Sequence, residues 1–249
     1  SAGVLKLSAT GATVWSTAVP VTAWAVAAAA AGDVVVTGSF RGTVNFGGGD
    51  LVAPSGWDMF VARFSATGPH LWSQQAGGSL TEGNAVAVAT DDSVVIAGNG
   101  DSINFGGTRL TGNGIDAFLV SLRSDGAYRW AGMYGDVGSD VAYSVAADRF
   151  GNVLVAGKYE RSADFGGGPL AMAGFGGDPF VAKFLPTGSH SWSRGYGGSA
   201  TGAGAAWGIA TDDLADVILV GSFGTTVDFG GGPVSNSGAV DLFILHLGP

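Results

Sequence analysis

The sequence predicts an all-β fold, a β-propeller of about four, alternatively five, four-stranded blades built from repeats of about sixty residues. Three motifs recur in the same order along the chain and carry this prediction. An Asp-x-Phe motif followed by alternating apolar residues begins at Asp58, Asp116, Asp178 and Asp241. Tryptophans alternate with this motif along the chain, at Trp15, Trp72, Trp130 and Trp192. An Asn/Asp-Phe-Gly-Gly turn begins at Asn45, Asn104, Asp164 and Asp228.

Within one repeat, period-two alternation of apolar residues predicts four strands. In the second copy they cover Ala85–Ala89, Val94–Ala97, Phe118–Leu122 and Tyr128–Met133. A glycine-rich excursion over 103–114 has room for a short extra hairpin. No window shows sustained helical periodicity, so a helical repeat is excluded.

The size of the side chains favours a propeller over a β-solenoid. The first strand of each repeat is made of alanine and valine, which suits the crowded innermost position of a blade. Bulkier residues such as Phe118 and Trp130 fall on the outer strands, where neighbouring blades leave a wider gap. The coils of a β-solenoid are usually much shorter than this repeat.

We expect a single propeller domain over residues 1–249. Its approximate repeats cover 1–57, 58–115, 116–177 and 178–240, with a closing strand at 241–249. Val4–Gly11 matches Val61–Gly68, so the chain opens with a third and a fourth strand and closes with strands one to three. If the ends meet, the N-terminal fourth strand completes the last blade and removes a sheet edge.

Ring closure of this kind leaves Val4–Leu7 and Leu242–Leu247 competing for one third-strand position. Three outcomes stay open: one strand is displaced, a fifth shared blade forms, or the chain is a piece of a longer propeller.

Several stretches resemble the bacterial β-propeller repeats called SBBP. They include Asp148–Gly157, Asp164–Gly168 and Asp178-Pro179-Phe180-Val181-Ala182-Lys183-Phe184. The resemblance covers essentially the whole chain. It implies a bacterial protein that is secreted or exposed at the cell surface, and it implies no particular reaction. The family's name implies seven blades, whereas about four modules are present here.

Composition excludes several classes of partner. The chain has 11 basic and 20 acidic residues, a net charge of −9, which argues against nucleic acid and anionic membranes as partners. It has no cysteine, so disulfides and thiolate metal sites are excluded. The apolar stretch Ala23–Ala31 is shorter than the roughly 20 residues that span a bilayer, so we expect a strand there and no membrane insertion. The 45 glycines fit many tight turns between short strands.

No residue pattern indicates catalysis, and we expect the protein not to be an enzyme. His70 and His190 each stand two residues before a repeat tryptophan, which we interpret as an exposed strand position that tolerates variety. His246 has no visible partner. His-Glu-x-x-His, Gly-x-Ser-x-Gly and P-loop motifs are missing from the sequence. A hydrolase or lyase with a carboxylate site at the channel mouth is the less favoured alternative.

The repeated aspartates raise the question of Ca²⁺, which prefers clustered oxygen ligands. Asp91-Asp92, Asp148 and Asp212-Asp213 lie in the first hairpin turn of their repeats, where such side chains usually bond their own backbone. Asp136 and Asp140 precede a first strand and form a second candidate. We favour structural turns and expect no cofactor, with Ca²⁺ as the alternative.

The repeat tryptophans fit packing between blades better than ligand binding, because they recur with the strand period beside apolar neighbours. Trp24, Trp57 and Trp207 fall outside that series. Together with Glu82, Asp136 and Asp140, they are our candidate ligand-binding residues.

We therefore expect a non-enzymatic extracellular or cell-surface interaction protein that binds protein or glycan through loops on one face. The alternatives are a lectin with repeated sites between blades and a structural subunit that assembles through its terminal strands.

Overall fold

A computed structural model describes residues 2–78, 80–171, 176–197 and 204–248. Sheet A consists of β1 (Ala2–Leu7) and β2 (Thr13–Val19). Sheet B consists of β3 (Thr22–Ala28), β4 (Val34–Asn45), β5 (Asp50–Phe64) and β6 (His70–Ala76). Sheet C consists of β7 (Thr81–Val88), β8 (Val94–Ile103), β9 (Leu110–Leu122) and β10 (Tyr128–Tyr134).

Sheet D consists of β11 (Val141–Ala147), β12 (Val153–Tyr159), β15 (Asp178–Phe184) and β16 (His190–Gly195). Sheet E consists of β17 (Ala205–Thr211), β18 (Val217–Phe223) and β21 (Asp241–Leu247). Two small hairpins are formed by β13 (Ser162–Asp164) with β14 (Pro169–Ala171) and by β19 (Val227–Asp228) with β20 (Pro233–Val234). All these pairings are antiparallel, and the all-β prediction is confirmed. In the part of the chain that the structure describes, no helix could span a membrane.

The four strands predicted for the second repeat are confirmed, and the glycine-rich excursion continues two of them. Ser102 pairs with Thr111 and Ile103 with Leu110, so β8 and β9 project beyond the sheet as a hairpin. Its turn is held by Asn104, whose Oδ1 accepts a 2.9 Å hydrogen bond from the amide of Gly106. The same Asx turn recurs at Asn45, Asp164 and Asp228.

The sheets stack face to face in chain order, with one apolar cluster between each consecutive pair. Phe60 and Val19 belong to the cluster between sheets A and B, and Phe118 belongs to the one between B and C. Phe180 packs between C and D, and Phe243 packs between D and E. Each sheet except the first and the last is therefore buried on both faces.

The repeat tryptophans tie each sheet to the next, in agreement with the packing interpretation. The indole N–H of Trp15 donates to the carbonyl of Ala66, and that of Trp72 donates to the carbonyl of Ser124. Both acceptors lie in the turn between the third and fourth strands of the following sheet. Trp15, Trp72 and Trp130 therefore contribute both apolar area and a hydrogen bond across the A–B, B–C and C–D interfaces.

The ends of the chain do not complete one another's sheets. β2 pairs with β1, β21 pairs with β18, and no ladder among the described strands joins β2 to β21. Of the arrangements left open by the sequence, the one in which the N-terminal fourth strand completes the last sheet is not formed, because β1 already pairs with the edge of β2 that β21 would need. The outer face of sheet E stays open, with Leu242 82% and Ile244 80% exposed.

Candidate functional site

The six candidate residues all lie at the same end of their sheets. We call it the leading end: it is the end at which the first and the third strand of each sheet begin. Trp24, Glu82 and Trp207 lie in β3, β7 and β17. Asp136 and Asp140 lie in the loop that precedes β11. Trp57 forms an isolated bridge with Leu80, immediately before β7. The structure brings these residues to a common end, although on different sheets.

Each first strand carries a β-bulge near its leading end. The register shifts between Ala23 and Ala25, and the equivalent shift occurs in β7, β11 and β17. The extra residues are Trp24, Asn84, Tyr143 and Trp207. We call these four residues the bulge row. Bulges re-aim side chains out of the pleat and are common next to functional sites.

Members of the bulge row meet across neighbouring sheets. The first strands contact one another in chain order from β3 to β17. The rings of Tyr143 and Trp207 lie 4.6 Å apart between centroids, at an angle of 36°. Asn84 donates through Nδ2 to the carbonyl of Ala142 in the next sheet, at 3.1 Å. The row therefore runs over successive first strands, with ring contact between Tyr143 and Trp207 and a hydrogen bond that links Asn84 to the strand of Tyr143.

A polar group across the ladder fixes most of these side chains. The indole N–H of Trp24 donates to Oγ of Ser39 at 3.3 Å, and that of Trp207 donates to Oγ of Ser222 at 2.9 Å. Asn84 donates to Oδ1 of Asn99, which holds the position equivalent to both serines. Trp24 remains 54% and Trp207 53% exposed, so each ring is oriented yet accessible.

Trp24 and Trp207 lie outside the series of repeat tryptophans, and the structure shows that both occupy a second repeated position, the bulge of the first strand. The sequence interpretation missed Asn84 and Tyr143, since a bulge shifts the period-two pattern. A signal was present in the spacing. Each member stands fourteen residues before the second-strand glycine, at Gly38, Gly98, Gly157 and Gly221.

An open depression adjoins Trp24 between β1 and β3. It has a volume of about 430 Å³ and is lined by Val4, Leu5, Ala23, Trp24, Val26 and Val36. Its walls are apolar, so it extends the exposed indole face with further apolar surface.

Trp57 and Glu82 contribute less to this line. The guanidinium of Arg41 lies 4.4 Å from the Trp57 ring centroid and covers one face of that ring. Glu82 pairs through its backbone with Asn99, on the strand that also orients Asn84. Both residues therefore lie at the leading end but outside the bulge row.

Asp136 and Asp140 differ sharply in environment. Asp136 is exposed, whereas Asp140 is fully buried. Asp140 accepts hydrogen bonds from the backbone amides of Glu160 at 2.8 Å and of Asp136 at 3.2 Å. Burial, with the charges of Asp116 and Glu160, raises the pKa of Asp140 to about 7 against the effect of these hydrogen bonds. Asp140 therefore holds the loop and offers no exposed ligand surface.

The histidines are more constrained than the sequence interpretation proposed. His70 and His190 are half-buried beneath glycine-rich turns, and each Nε2 lies within hydrogen-bond distance of a serine Oγ. Burial lowers the pKa of His70. His246, expected to have no partner, lies with Nε2 3.0 Å from Oδ2 of Asp216. All three histidines therefore have structural partners.

The hairpin-turn aspartates accept hydrogen bonds from their own turns. Asp91 accepts from Ser93, Asp148 from Phe150 and Asn152, and Asp212 from Leu214 and Asp216. This agrees with the structural-turn interpretation. Asp212, Asp216 and His246 also place possible metal-ligating atoms within 4.8 Å of one another. The carboxylate of Asp212 already accepts hydrogen bonds from its own turn, and the carboxylate of Asp216 already pairs with His246.

Comparison with known proteins finds no matching family model and no matching curated protein. A crystal structure of a protein of unknown function from Bacteroides caccae is similar, with a TM-score of 0.47 and 13% sequence identity. The similarity covers 91% of this chain and 66% of that chain.

Proposed function

We propose that this chain is a non-enzymatic binding module, secreted or exposed at the cell surface, that captures a carbohydrate chain along the bulge row. The observation that carries the proposal is the line of Trp24, Asn84, Tyr143 and Trp207 on successive first strands. The module is a propeller of SBBP type in which each stacked sheet is a blade and the first strands are innermost. Four-strand meanders stacked in chain order support that architecture.

The chemistry of the row favours sugars over other ligands. Indole and phenol rings present flat apolar faces that suit the C–H face of a sugar ring. Oδ1 of Asn84 and the half-buried hydroxyl of Ser222 remain available to bond sugar hydroxyls, since Nδ2 of Asn84 already donates within the protein. Repetition of one position on successive sheets matches the repeating units of a linear polysaccharide.

Affinity electrophoresis through gels that contain soluble polysaccharides tests this function. The Trp24→Ala and Trp207→Ala variants should each weaken retention by about tenfold, which corresponds to about 1.4 kcal/mol. Trp57→Ala is the matched control, since Arg41 covers one face of that ring. Equal retention of all three variants and the unmodified protein would contradict the proposal.

The outer face of sheet E favours a second function, assembly with another copy of this chain. Leu242 and Ile244 are exposed, whereas their counterparts in sheet D, Pro179 and Val181, are buried, with Val181 packed against sheet E. The exposed outer face of sheet A, which includes Leu5 and Leu7, supplies an apolar partner surface. The same type of sheet-on-sheet interface would then continue from one copy to the next, head to tail.

Sedimentation velocity at several protein concentrations tests this assembly. The unmodified protein should form larger species as concentration rises, and Ile244→Lys should remain monomeric. Leu214→Lys, at an equally apolar but isolated exposed turn, is the control and should still assemble. A concentration-independent monomer of the unmodified protein would exclude this second function.

A further inference from the structure

Asp116 carries a buried carboxylate oxygen that no donor of the described residues contacts. The residue is only 4% exposed, at the start of the buried part of β9. Its Oδ2 accepts a 3.1 Å hydrogen bond from the amide of Asn113, but its Oδ1 has no hydrogen-bond partner in the part of the chain that the structure describes. A buried anionic oxygen without a donor is costly, so a native structure that keeps one calls for an explanation.

The orphaned oxygen points toward a second buried carboxylate. A Cβ on Gly135 would collide with Oδ1 of Asp116, at 2.8 Å, and with Oδ2 of Asp140. Both oxygens therefore converge on the backbone of Gly135, where glycine leaves them space. Asp116 belongs to sheet C, and Asp140 lies in the loop that leads into sheet D. The convergence therefore lies at the interface between those two sheets.

Two more carboxylates surround this pair, and we call Asp116, Asp136, Asp140 and Glu160 the acidic junction. The charge of Asp136 acts on Asp116, and the charges of Asp116 and Glu160 act on Asp140. Lys158 lies 3.2 Å from Oε1 of Glu160 and balances one of these charges. Among the described residues, neither Asp116 nor Asp140 forms an ion pair with a basic side chain, so a bound cation or a proton would offset their charge.

The same orphaned oxygen occurs one repeat earlier. Asp58, equivalent to Asp116, is 4% exposed, and its Oδ1 also has no hydrogen-bond partner among the described residues. A Cβ on Gly77 would meet that oxygen at 2.7 Å, and the charge of Asp101 on the next sheet acts on Asp58. The unsatisfied oxygen therefore occurs in two successive repeats, and at the acidic junction two carboxylate oxygens converge on one glycine.

We propose that the acidic junction binds one Ca²⁺ ion, with Asp116 Oδ1 and Asp140 Oδ2 as its buried carboxylate ligands. A hard cation takes oxygen ligands from carboxylates, backbone carbonyls and water, and the junction offers carboxylates beside the carbonyl-rich loop 135–139. The ion supplies the missing partner of Asp116 and cross-links sheets C and D. The site is separate from the bulge row, and its existence does not depend on carbohydrate binding.

Calorimetric titration of the chelator-treated protein with CaCl₂, together with its thermal unfolding, tests the site. We expect a Kd on the order of 10⁻⁴ to 10⁻³ M, as in extracellular modules, and a rise in Tm with added Ca²⁺. Asp116→Asn and Asp140→Asn should abolish both. In the absence of Ca²⁺, Asp116→Asn should be at least as stable as the unmodified protein, because it removes repulsion and supplies a donor. Asp125→Asn, in an exposed turn, is the matched control and should keep both responses.

Two outcomes would overturn the proposal. One is the absence of both heat and Tm rise at saturating CaCl₂ in the unmodified protein. The other is an undiminished Ca²⁺ response in the folded Asp116→Asn variant. Either result would leave a proton shared between Asp116 and Asp140 as the explanation of the orphaned oxygen.

Discussion

The indole N–H of Trp130 donates a 3.0 Å hydrogen bond to the carbonyl of Pro186, which lies on the next sheet. Gly188 of the same turn rests on the Trp130 ring, where a Cβ would approach Cδ2 to 2.6 Å. Trp15 and Trp72 make the equivalent contact with the turns of sheets B and C. This contact joins successive sheets in the same way three times, and it leads to the first prediction.

Trp130→Phe should lower the free energy of unfolding by more than Trp192→Phe does. Both substitutions remove ring volume, but no carbonyl of the described residues accepts from the Trp192 indole. The difference should be about 1 kcal/mol, the net contribution of one hydrogen bond, or about 2–4 °C in Tm. Thermal unfolding measures it, and equal losses would show that ring volume alone matters.

Substitution of Arg63 should lower the free energy of unfolding more than substitution of any other charged residue at the sheet ends opposite the leading end. Arg63 is 3% exposed and joins Asp33 at 2.9 Å to Asp92 at 2.7 Å, in the turns of sheets B and C. Arg63→Met should cost about 3 kcal/mol in urea unfolding, because it removes the buried cation that pairs with both carboxylates. Arg129→Met, which breaks the more exposed pair with Asp91, should cost less than about 1 kcal/mol. A reversed order of the two losses would refute this prediction.

Asp148 should contribute to the loss of stability in acid. Burial alone would raise its pKa, but hydrogen bonds from Asn152 and Phe150 and contact with the Lys183 ammonium outweigh burial and lower it. A lowered pKa in the folded state means that this stabilisation is present above about pH 4 and is lost as pH falls further. Asp148→Asn should flatten the acid limb of a plot of urea midpoint against pH. Asp125→Asn should leave the limb unchanged, and an identical limb in Asp148→Asn would contradict the assignment.

Gly157→Ala should destabilise the protein strongly. A Cβ at Gly157 would collide with the carbonyl of Val141 and approach Cε1 of Phe180 to 2.8 Å. Overpacking of this kind costs about 1–3 kcal/mol. Gly231→Ala, in a turn with open space around it, should change stability by no more than about 0.5 kcal/mol. Chemical denaturation of the two variants would reveal whether close approach of β11 and β12 requires the glycine.

The sequence by itself determined the repeat, the strands and the role of the tryptophans. These features are local or strictly periodic: apolar runs bounded by turns locate β8 and β9, and the spacing of Trp15, Trp72 and Trp130 follows the repeat. The sequence analysis also predicted candidate residues that lie together at the leading end. It could do so because the first and third strands of any antiparallel meander begin at the same end of the sheet.

Tertiary structure decided the rest. The bulge places Trp24, Asn84, Tyr143 and Trp207 on one line, and a bulge depends on how a strand pairs, which alternation does not encode. Asp116 and Asp140 converge because two sheets pack around Gly135, so their burial depends on residues from both sheets. The exposed outer faces of sheets A and E likewise depend on tertiary packing, since no other sheet of the described chain covers Leu5 or Leu242.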